Sequence, residues 1–272
     1  MTSLKNLDTF GLTHVGKVRE NNEDQFLIAS LTKGVDLKQT SLEAVDRFEY
    51  LRSNDAYIFV VADGVGGVAG GERASGAAVE TVAHYVSHTM GCYYNFDVEH
   101  EQEFLDQLEK AVHRCNEEVK SYGGGRGGPA STLTMVTLTW PRAYVVHIGD
   151  SRCYFLRQGR LRPLTRDQTM GEELIDAGVM SAEQVSDRGL DHLLTSAVGA
   201  DINPVIGLID LEWGDVLLMC TDGLTKHVSD ERIAALVSRK GTAREIAEAL
   251  LEEALEGGGT DNVTVIVGRM IE

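Results

Sequence analysis

The sequence has few cysteines and no pairing pattern that would suggest a disulfide-linked or zinc-binding protein. Its 272 residues include four cysteines, and no two of them form a Cys-x-x-Cys pair. Scattered cysteines of this kind are typical of free thiols in a reducing compartment. The four positions are Cys92, Cys115, Cys153 and Cys220.

The chain also lacks an excess of basic residues and any long apolar run. Lys and Arg number 25 against 42 Asp and Glu, which gives a formal net charge of -17. This charge argues against nucleic acid or an anionic membrane as a partner. Because the sequence shows neither a signal-peptide core nor a run approaching the length of a membrane span, we expect a cytoplasmic protein.

What the chain does have is enough apolar residues, 43%, to bury a substantial core. We expect a single domain over residues 1–272, with a polar surface insertion at 31–54. Helices are predicted to come in pairs, separated from runs of strands, which favours an α+β fold with largely antiparallel sheets. Strands are predicted at 10–18, 25–29, 57–61, 131–139, 142–148, 152–157, 160–163, 215–220 and 263–269, and helices at 72–90, 101–121, 170–177, 182–185, 230–239 and 242–255.

Carboxylates recur at the ends of strongly apolar strands. Asp63, Asp150 and Asp222 each follow such a strand, and Asp261 comes just before the last one. If these ends meet at one edge, the like charges need a divalent cation, and oxygen ligands favour Mg²⁺, Mn²⁺ or Ca²⁺ over zinc. The alternative for each residue alone is a turn or capping role. Asp215, which precedes its strand, is interpreted as structural.

A glycine-rich turn follows Asp63 and leads into the first long helix. Glycines at 64, 66, 67, 70 and 71 allow the backbone to approach a ligand closely, and the start of the helix favours anions. Residues 64–69 also fit the G-x-G-x-x-A pattern of dinucleotide-binding proteins. That interpretation fails because a second helix, rather than a strand, follows the first helix.

Arg19 lies a few positions before Glu23 in a polar turn. A guanidinium beside a metal cluster is suited to bidentate binding of phosphate. The alternative is a surface arginine that pairs with Glu20 or Glu23.

Together these segments resemble the metal-dependent protein serine/threonine phosphatases of type 2C, also called the PPM family, and in particular its bacterial branch. The resemblance extends over nearly the whole chain, and the segments occur in the family's order. They are GKVRENNED at 16–24, VADGVGG at 61–67, AST at 130–132, IGDSR at 148–152, LTRD at 164–167, CTDGL at 220–224 and GTDNVT at 259–264.

The resemblance implies a four-layer α-β-β-α sandwich, in which two antiparallel sheets are flanked by helix pairs. It also implies two Mn²⁺ or Mg²⁺ ions per chain, with a third in some bacterial members, and a mobile flap at about 167–200. By resemblance, Asp63 bridges two ions, of which one is also held by Asp222 and Asp261 and the other by Glu23 and the Gly64 carbonyl. Asp150 and Asp222 match the ligands of the third ion. The resemblance also implies that Arg19 binds the substrate phosphate and that Asp24 and Asn262 support the ligands.

The function implied is hydrolysis of phosphoserine and phosphothreonine in proteins by a metal-activated water, with Arg19, Asp63 and Asp222 as the catalytic residues. The absence of a Cys-x5-Arg loop agrees with a mechanism that needs no phosphoenzyme. The partners would be a Ser/Thr kinase and its phosphorylated targets, and we expect a monomer. The alternatives are a pseudophosphatase or binding module of the same fold, and a two-metal hydrolase of small phosphoesters or nucleotides.

Two positions depart from the family pattern. Val65 stands where animal members carry a histidine proposed as the general acid, and Val68 stands where many bacterial members have a histidine near the substrate. Leaving-group protonation must therefore come from elsewhere. A metal-bound water is our first candidate, and His192 in the expected flap is the second.

Overall fold

The computed structural model describes residues 7–33, 53–65, 70–90, 101–123 and 128–271. A short 3₁₀ helix spans Leu190–His192. The strands and helices in chain order are β1 Leu7–His14, β2 Asp24–Lys33, β3 Ser53–Val65, α1 Gly71–Met90, α2 Glu101–Gly123, β4 Ala130–Ser131, β5 Leu133–Thr139, β6 Arg142–Ile148, β7 Arg152–Arg157, β8 Arg160–Pro163, α3 Met170–Asp176, α4 Ala182–Ser186, β9 Val205–Asp210, β10 Val216–Cys220, α5 Asp222–Thr225, α6 Asp230–Val237, α7 Ala243–Glu256 and β11 Val263–Met270.

These strands form two sheets in which the paired strands run antiparallel. One sheet has the order β1-β11-β10-β7-β8, and the other has the order β2-β3-β5-β6-β9, with β4 paired to β3. The register places Asp24 opposite Asp63 on β2 and β3. Because β3 and β5 are antiparallel and two helices lie between them in the chain, the parallel unit of a dinucleotide-binding fold is not formed here.

Alternate residues of the central strands lie in different apolar clusters, because successive side chains of a strand point to opposite faces. On β3, Ile58 and Val60 pack toward α1 and α2, whereas Phe59 and Val61 pack between the two sheets. On β10, Leu218 faces the cluster formed with α6 and α7. The two sheets and the two helix layers therefore form a four-layer sandwich, as predicted.

Several boundaries differ from the sequence-based prediction. The first strand covers Leu7–His14 rather than 10–18, because its pairing ends where His14 meets Val263 at the start of β11. Val18 is 66% exposed in the turn that follows. Strand β9 was not predicted, because it pairs only with β6 and its side chains are largely exposed. The short helix α5 was not predicted either, and Asp222 is its first residue.

Parts of the prediction lie outside the described residues. These parts are residues 34–52 of the expected insertion, Gly66, Gly67 and Val68 of the glycine turn, and Cys92. The other three cysteines are buried and free, as predicted. Within the described part of the chain, no helix is both long enough and apolar enough to cross a bilayer.

The segment expected to be a flap, residues 167–200, contains α3, α4 and the 3₁₀ helix. Its ends attach to the sheet region near the carboxylates. The Gln168 backbone N–H donates to the Gly149 carbonyl at 2.8 Å, and Ser131 forms a two-way backbone bridge with Val198 at 2.8 Å. Arg152 also binds the Asp167 carboxylate with two hydrogen bonds, at 2.8 and 2.7 Å. The single-domain organisation with a mobile flap stays a prediction.

Candidate metal centre

Three of the carboxylates predicted at strand ends come together. Asp63 near the end of β3, Asp150 after β6 and Asp222 after β10 each offer one oxygen, and these three oxygens lie within 4.8 Å of one another. The residues come from both sheets, so the packing of one sheet on the other forms the cluster. Two turns allow this arrangement: Gly149 before Asp150 has φ +102°, and the helical turn α5 begins at Asp222.

The electrostatics of this cluster are unfavourable for charged carboxylates alone. Burial raises the pKa of Asp63 well above its ordinary value, and the charges of Asp24, Asp222 and Asp150 raise it further. Burial, with the charge of Asp222 next, raises the pKa of Asp150 to about 8. The charged cluster therefore needs compensation by a cation.

The residues present fit a divalent metal. One oxygen of Asp222, Oδ1, is buried and has no hydrogen-bond partner. A buried carboxylate oxygen without a partner is costly unless a ligand binds it. The three converging residues offer only carboxylate oxygens, which are the ligands that Mg²⁺ and Mn²⁺ prefer.

Asp261 lies beside this cluster but is paired with side-chain cations. Arg19 approaches both of its oxygens, with Nε to Oδ1 at 2.7 Å and Nη2 to Oδ2 at 3.0 Å. Lys226 Nζ lies 2.7 Å from Asp261 Oδ2 and 2.5 Å from Asp222 Oδ2. Burial opposes ionisation of Asp261, but Lys226 and Arg19 more than offset it and lower its pKa. Lys226 therefore links two of the predicted metal ligands.

Glu23 and the Gly64 carbonyl converge at the start of α1. A Cβ added at Gly71 would lie 2.8 Å from Glu23 Cδ and 2.8 Å from the Gly64 carbonyl oxygen. A Cβ at Gly64 would lie 2.3 Å from the Gly71 carbonyl oxygen. Only glycine at these two positions allows the close approach, which brings a carboxylate and a carbonyl oxygen together as the resemblance implies.

Asp24 lies behind the cluster and is almost fully buried. Its Oδ2 accepts hydrogen bonds from the hydroxyls of Thr221 at 2.8 Å and Thr264 at 2.7 Å, while its Oδ1 is buried without a partner. Burial raises the pKa of Asp24 to about 7, although the two threonine hydrogen bonds oppose this shift. Asp24 thus connects β2 to the residue before α5 and to β11.

Asn262 fixes the turn that carries Arg19 and Glu23. Its Nδ2 donates to the carbonyls of Val15 and Asn21, both at 2.9 Å, and its Oδ1 accepts from the Glu23 backbone N–H at 2.8 Å. These three bonds hold the polar turn against the loop before β11. The structure therefore brings both predicted supporting residues, Asp24 and Asn262, next to the carboxylates.

Sequence reasoning missed Lys226 and the hydroxyl groups around the site. Lys226 follows Asp222 by four residues, the spacing of neighbours on a helix, but the helical turn α5 had not been predicted. Thr132 Oγ1 accepts a hydrogen bond from the Asp63 backbone N–H at 2.9 Å and lies 2.7 Å from Ser151 Oγ. Thr132 and Ser151 belong to segments that match the family pattern, so the sequence could have indicated that their hydroxyl groups lie near the site.

The position that lacks the family histidine, Val65, and the second candidate proton donor, His192, both lie on exposed parts of the chain. Val65 ends β3, is 43% exposed and has no ionisable group. His192 lies in the 3₁₀ helix, and its Nε2 is 3.6 Å from Asp191 Oδ1 on an exposed part of the chain. The role of His192 stays a prediction.

Comparison with known proteins identifies the family. The family model described as protein phosphatase 2C matches residues 38–256. The chain belongs to the protein phosphatase 2C family.

Two curated relatives show how much is shared. The serine/threonine protein phosphatase PstP of Mycobacterium tuberculosis is 34% identical over 221 residues, which make up 80% of this chain and 41% of PstP. This chain thus spans less than half the length of that relative. Protein phosphatase PhpP of Streptococcus pneumoniae is 28% identical over 263 residues, which make up 96% of each chain.

Solved structures agree with the fold. A crystal structure of the Mycobacterium tuberculosis phosphatase PstP superposes with a TM-score of 0.77 at 30% identity, and the match covers 98% of this chain and 99% of that one. The catalytic domain of PstP in complex with two manganese ions gives a TM-score of 0.75 at 30% identity, covering 98% and 99% of the two chains.

Proposed function

We propose that this chain is a metal-dependent protein phosphatase that hydrolyses phosphoserine and phosphothreonine. The observation that carries the proposal is the partly buried cluster of Asp63, Asp150 and Asp222, in which one oxygen of Asp222 is buried without a hydrogen-bond partner. Membership of the protein phosphatase 2C family supports the same reaction.

The proposed centre holds two Mn²⁺ or Mg²⁺ ions. Asp63 would contact both ions, as the family resemblance implies, and one of its oxygens lies within 4.8 Å of oxygens of Asp150 and Asp222. Asp222 and Asp261 would hold one ion, and Glu23 with the Gly64 carbonyl would serve the other. Asp150 and Asp222 offer a place for a third ion. When bound, such ions lower the pKa of a water and stabilise charge on the phosphoryl oxygens.

The protein's own groups would bind and orient the substrate. Arg19 is the cationic side chain next to Asp261 that is also open to solvent, with 53% of its side chain exposed. A guanidinium can bind two phosphate oxygens at once, so Arg19 is proposed to hold the substrate phosphate beside the carboxylates. Thr132 holds Asp63 in place by accepting a hydrogen bond from its backbone N–H, and Asn262 holds Glu23 in the same way.

The partners follow from the chemistry. The substrate is a phosphorylated protein, and a Ser/Thr kinase with its targets would supply it. We propose that the chain acts as a monomer, without nucleic acid or membrane as a partner, in agreement with its net charge of -17.

A phosphothreonine peptide tests the proposal directly. Release of phosphate is measured with Mn²⁺, with Mg²⁺ and with a chelator. We expect turnover with Mn²⁺ or Mg²⁺ and none with the chelator. Activity that persists in the chelator would contradict the metal mechanism.

The alternatives are separated by the same assay. A pseudophosphatase would bind Mn²⁺ without hydrolysing the peptide, and the presence of all the matched carboxylates argues against it. A hydrolase of small phosphoesters would turn over p-nitrophenyl phosphate with a higher kcat/KM than the phosphopeptide. The proposed function predicts the reverse order.

A further inference from the structure

Lys226 occupies an unusual place for a lysine in a metal-dependent enzyme. It is the residue after the last residue of α5, and its ammonium group lies between the carboxylates of Asp222 and Asp261. Its side chain is only 23% exposed. The two carboxylates that would hold one ion therefore share a side-chain cation instead.

The position of Lys226 is set by the fold rather than by a flexible surface chain. Residues Leu224 and Val228 on either side of it are buried, and the Lys226 backbone N–H donates to the Asp222 carbonyl at 2.8 Å. The ammonium group therefore lies between two carboxylates, at 2.5 Å from Asp222 Oδ2 and 2.7 Å from Asp261 Oδ2.

We infer that Lys226 competes with the metal ion that Asp222 and Asp261 would hold, so that this ion binds more weakly than the other. The inference rests on the proposed function, because it assumes that these carboxylates are metal ligands. Metal ions bind carboxylate oxygens at about 2.0–2.2 Å. Asp222 Oδ2 already has an ammonium at 2.5 Å, and like charges at such distances repel strongly.

The consequence is a phosphatase whose metal content depends on the free metal concentration. The position served by Glu23 and the Gly64 carbonyl has no lysine among the contacts described for it, and it would load first. A metal ion can use the two oxygens that Lys226 contacts, Asp222 Oδ2 and Asp261 Oδ2, only if Lys226 Nζ moves away from them. Lys226 is a positioning residue in this account, and it adjusts metal occupancy without taking part in hydrolysis.

The test is calorimetric titration of metal-free protein with Mn²⁺. In Lys226→Gln, we expect the affinity of the weaker of the two Mn²⁺ sites to rise by about tenfold or more and the affinity of the stronger site to stay unchanged. Lys226→Arg keeps the charge and should keep the weak site. Lys240→Gln removes an exposed lysine outside the site, so it carries the same change in net charge and should bind like the wild type.

A second measurement needs no variant. Acetylation of the wild-type protein by an amine-reactive ester, read by mass spectrometry, should rise several-fold at Lys226 when Mn²⁺ saturates the protein. Displacement from the two carboxylates exposes the amine, and Lys240 serves as the internal reference. Folding of each variant is checked by its unfolding midpoint.

The outcomes separate the two ideas. Equal or weaker Mn²⁺ binding in Lys226→Gln, with unchanged acetylation in the wild type, overturns the inference about Lys226 and leaves the phosphatase proposal standing. If wild type and variants bind no Mn²⁺ and release no phosphate, the proposed function fails as well.

Discussion

Strand β10 carries an aspartate at each end, and the two have opposite surroundings. Asp215, before the strand, is buried against Arg157, which binds its two oxygens at 3.0 and 2.7 Å, and it also accepts the Glu212 backbone N–H at 2.6 Å. Asp222, after the strand, has one oxygen on Lys226 and one buried oxygen without a partner.

The contrast shows how to separate structural from functional carboxylates. At Asp215 the chain itself supplies every partner, so the residue stabilises the fold and needs nothing more. At Asp222 one buried oxygen has no hydrogen-bond partner, and the carboxylates of Asp63 and Asp150 lie nearby. Because carboxylates this close together are unfavourable without a cation, the end of β10 at Asp222 is suited to bind a metal ion.

Removing the charge of Asp222 should abolish most of the activity and leave the fold intact. Asp222→Asn should lower kcat for a phosphothreonine peptide by about a thousandfold or more, because metal stabilisation of the transition state is worth several kcal/mol. The free energy of unfolding of the metal-free variant should change by less than about 1 kcal/mol. Full activity in Asp222→Asn would remove the residue from the metal centre.

The matching change at the other end should act on stability alone. Asp215→Asn should lower the free energy of unfolding by about 2 kcal/mol, because the buried side chain loses its charged hydrogen bonds to Arg157, although Arg157 keeps its ion pair with Glu212 at 3.1 Å. Urea unfolding measures the loss. The folded variant should keep its Mn²⁺ binding and its kcat, and a loss of Mn²⁺ binding here would break the distinction between the two ends.

Arg19→Ala is expected to affect substrate binding more than metal binding. Loss of a charged hydrogen bond to the phosphate costs about 1.5–3 kcal/mol, so KM should rise about tenfold to a hundredfold. Mn²⁺ titration of the same variant is the control. An unchanged KM would mean that Arg19 serves only its ion pair with Asp261.

The pH dependence of stability should reveal the uncompensated carboxylates. The folded-state pKa is raised from an ordinary value of 3.8 to about 7 for Asp24 and to about 8 for Asp150. A carboxyl whose pKa is raised by folding stabilises the protein at low pH, and this contribution is lost as pH rises through the folded pKa. The metal-free protein should therefore lose stability progressively from about pH 4 to about pH 8, and the part of the loss between about pH 7 and about pH 8 comes mainly from Asp150.

Saturating Mn²⁺ should reduce this loss, because bound metal favours the ionised carboxylates. His147 does not disturb the comparison: burial lowers its pKa from 6.5, so it is neutral across this window. Thermal unfolding at both pH values, with and without Mn²⁺, measures the effect. A metal-free protein that becomes more stable with rising pH in this range would contradict the account.

The smallest expected effect concerns His192. Its exposed position in the 3₁₀ helix and its neighbour Asp191 give it no described contact with the carboxylate cluster. His192→Ala should change kcat less than about twofold. A loss of tenfold or more, with a lost basic limb in the pH–rate profile, would instead make His192 the proton donor.

Much of the site could be predicted from local patterns. An apolar run that ends in Asp63, Asp150 or Asp222 marks a buried strand with a carboxylate at its end, and the antiparallel sandwich brings such ends together. The family resemblance supplied the order of the segments and the supporting roles of Asp24 and Asn262. The four-layer fold that the resemblance implied was confirmed by the apolar clusters that lie between its layers.

The remainder depends on tertiary contacts that no local pattern carries. Helix α5 is four residues long, too short to show helical periodicity, so the position of Lys226 beside Asp222 was missed. Thr221, which follows β10, and Thr264 in β11 both donate to Asp24, which lies about 200 or more residues away in the chain. Strand β9 was missed because its exposed edge lacks an apolar alternation.

Whether the carboxylate cluster is a metal centre is decided by calorimetric Mn²⁺ titration of the wild type and of Asp222→Asn, each prepared without metal. We expect the wild type to bind at least two Mn²⁺ ions and the variant to lose one of them or bind it much more weakly. One ion or none in the wild type, or the same binding curve for both proteins, would mean that Asp222 does not belong to a two-metal centre.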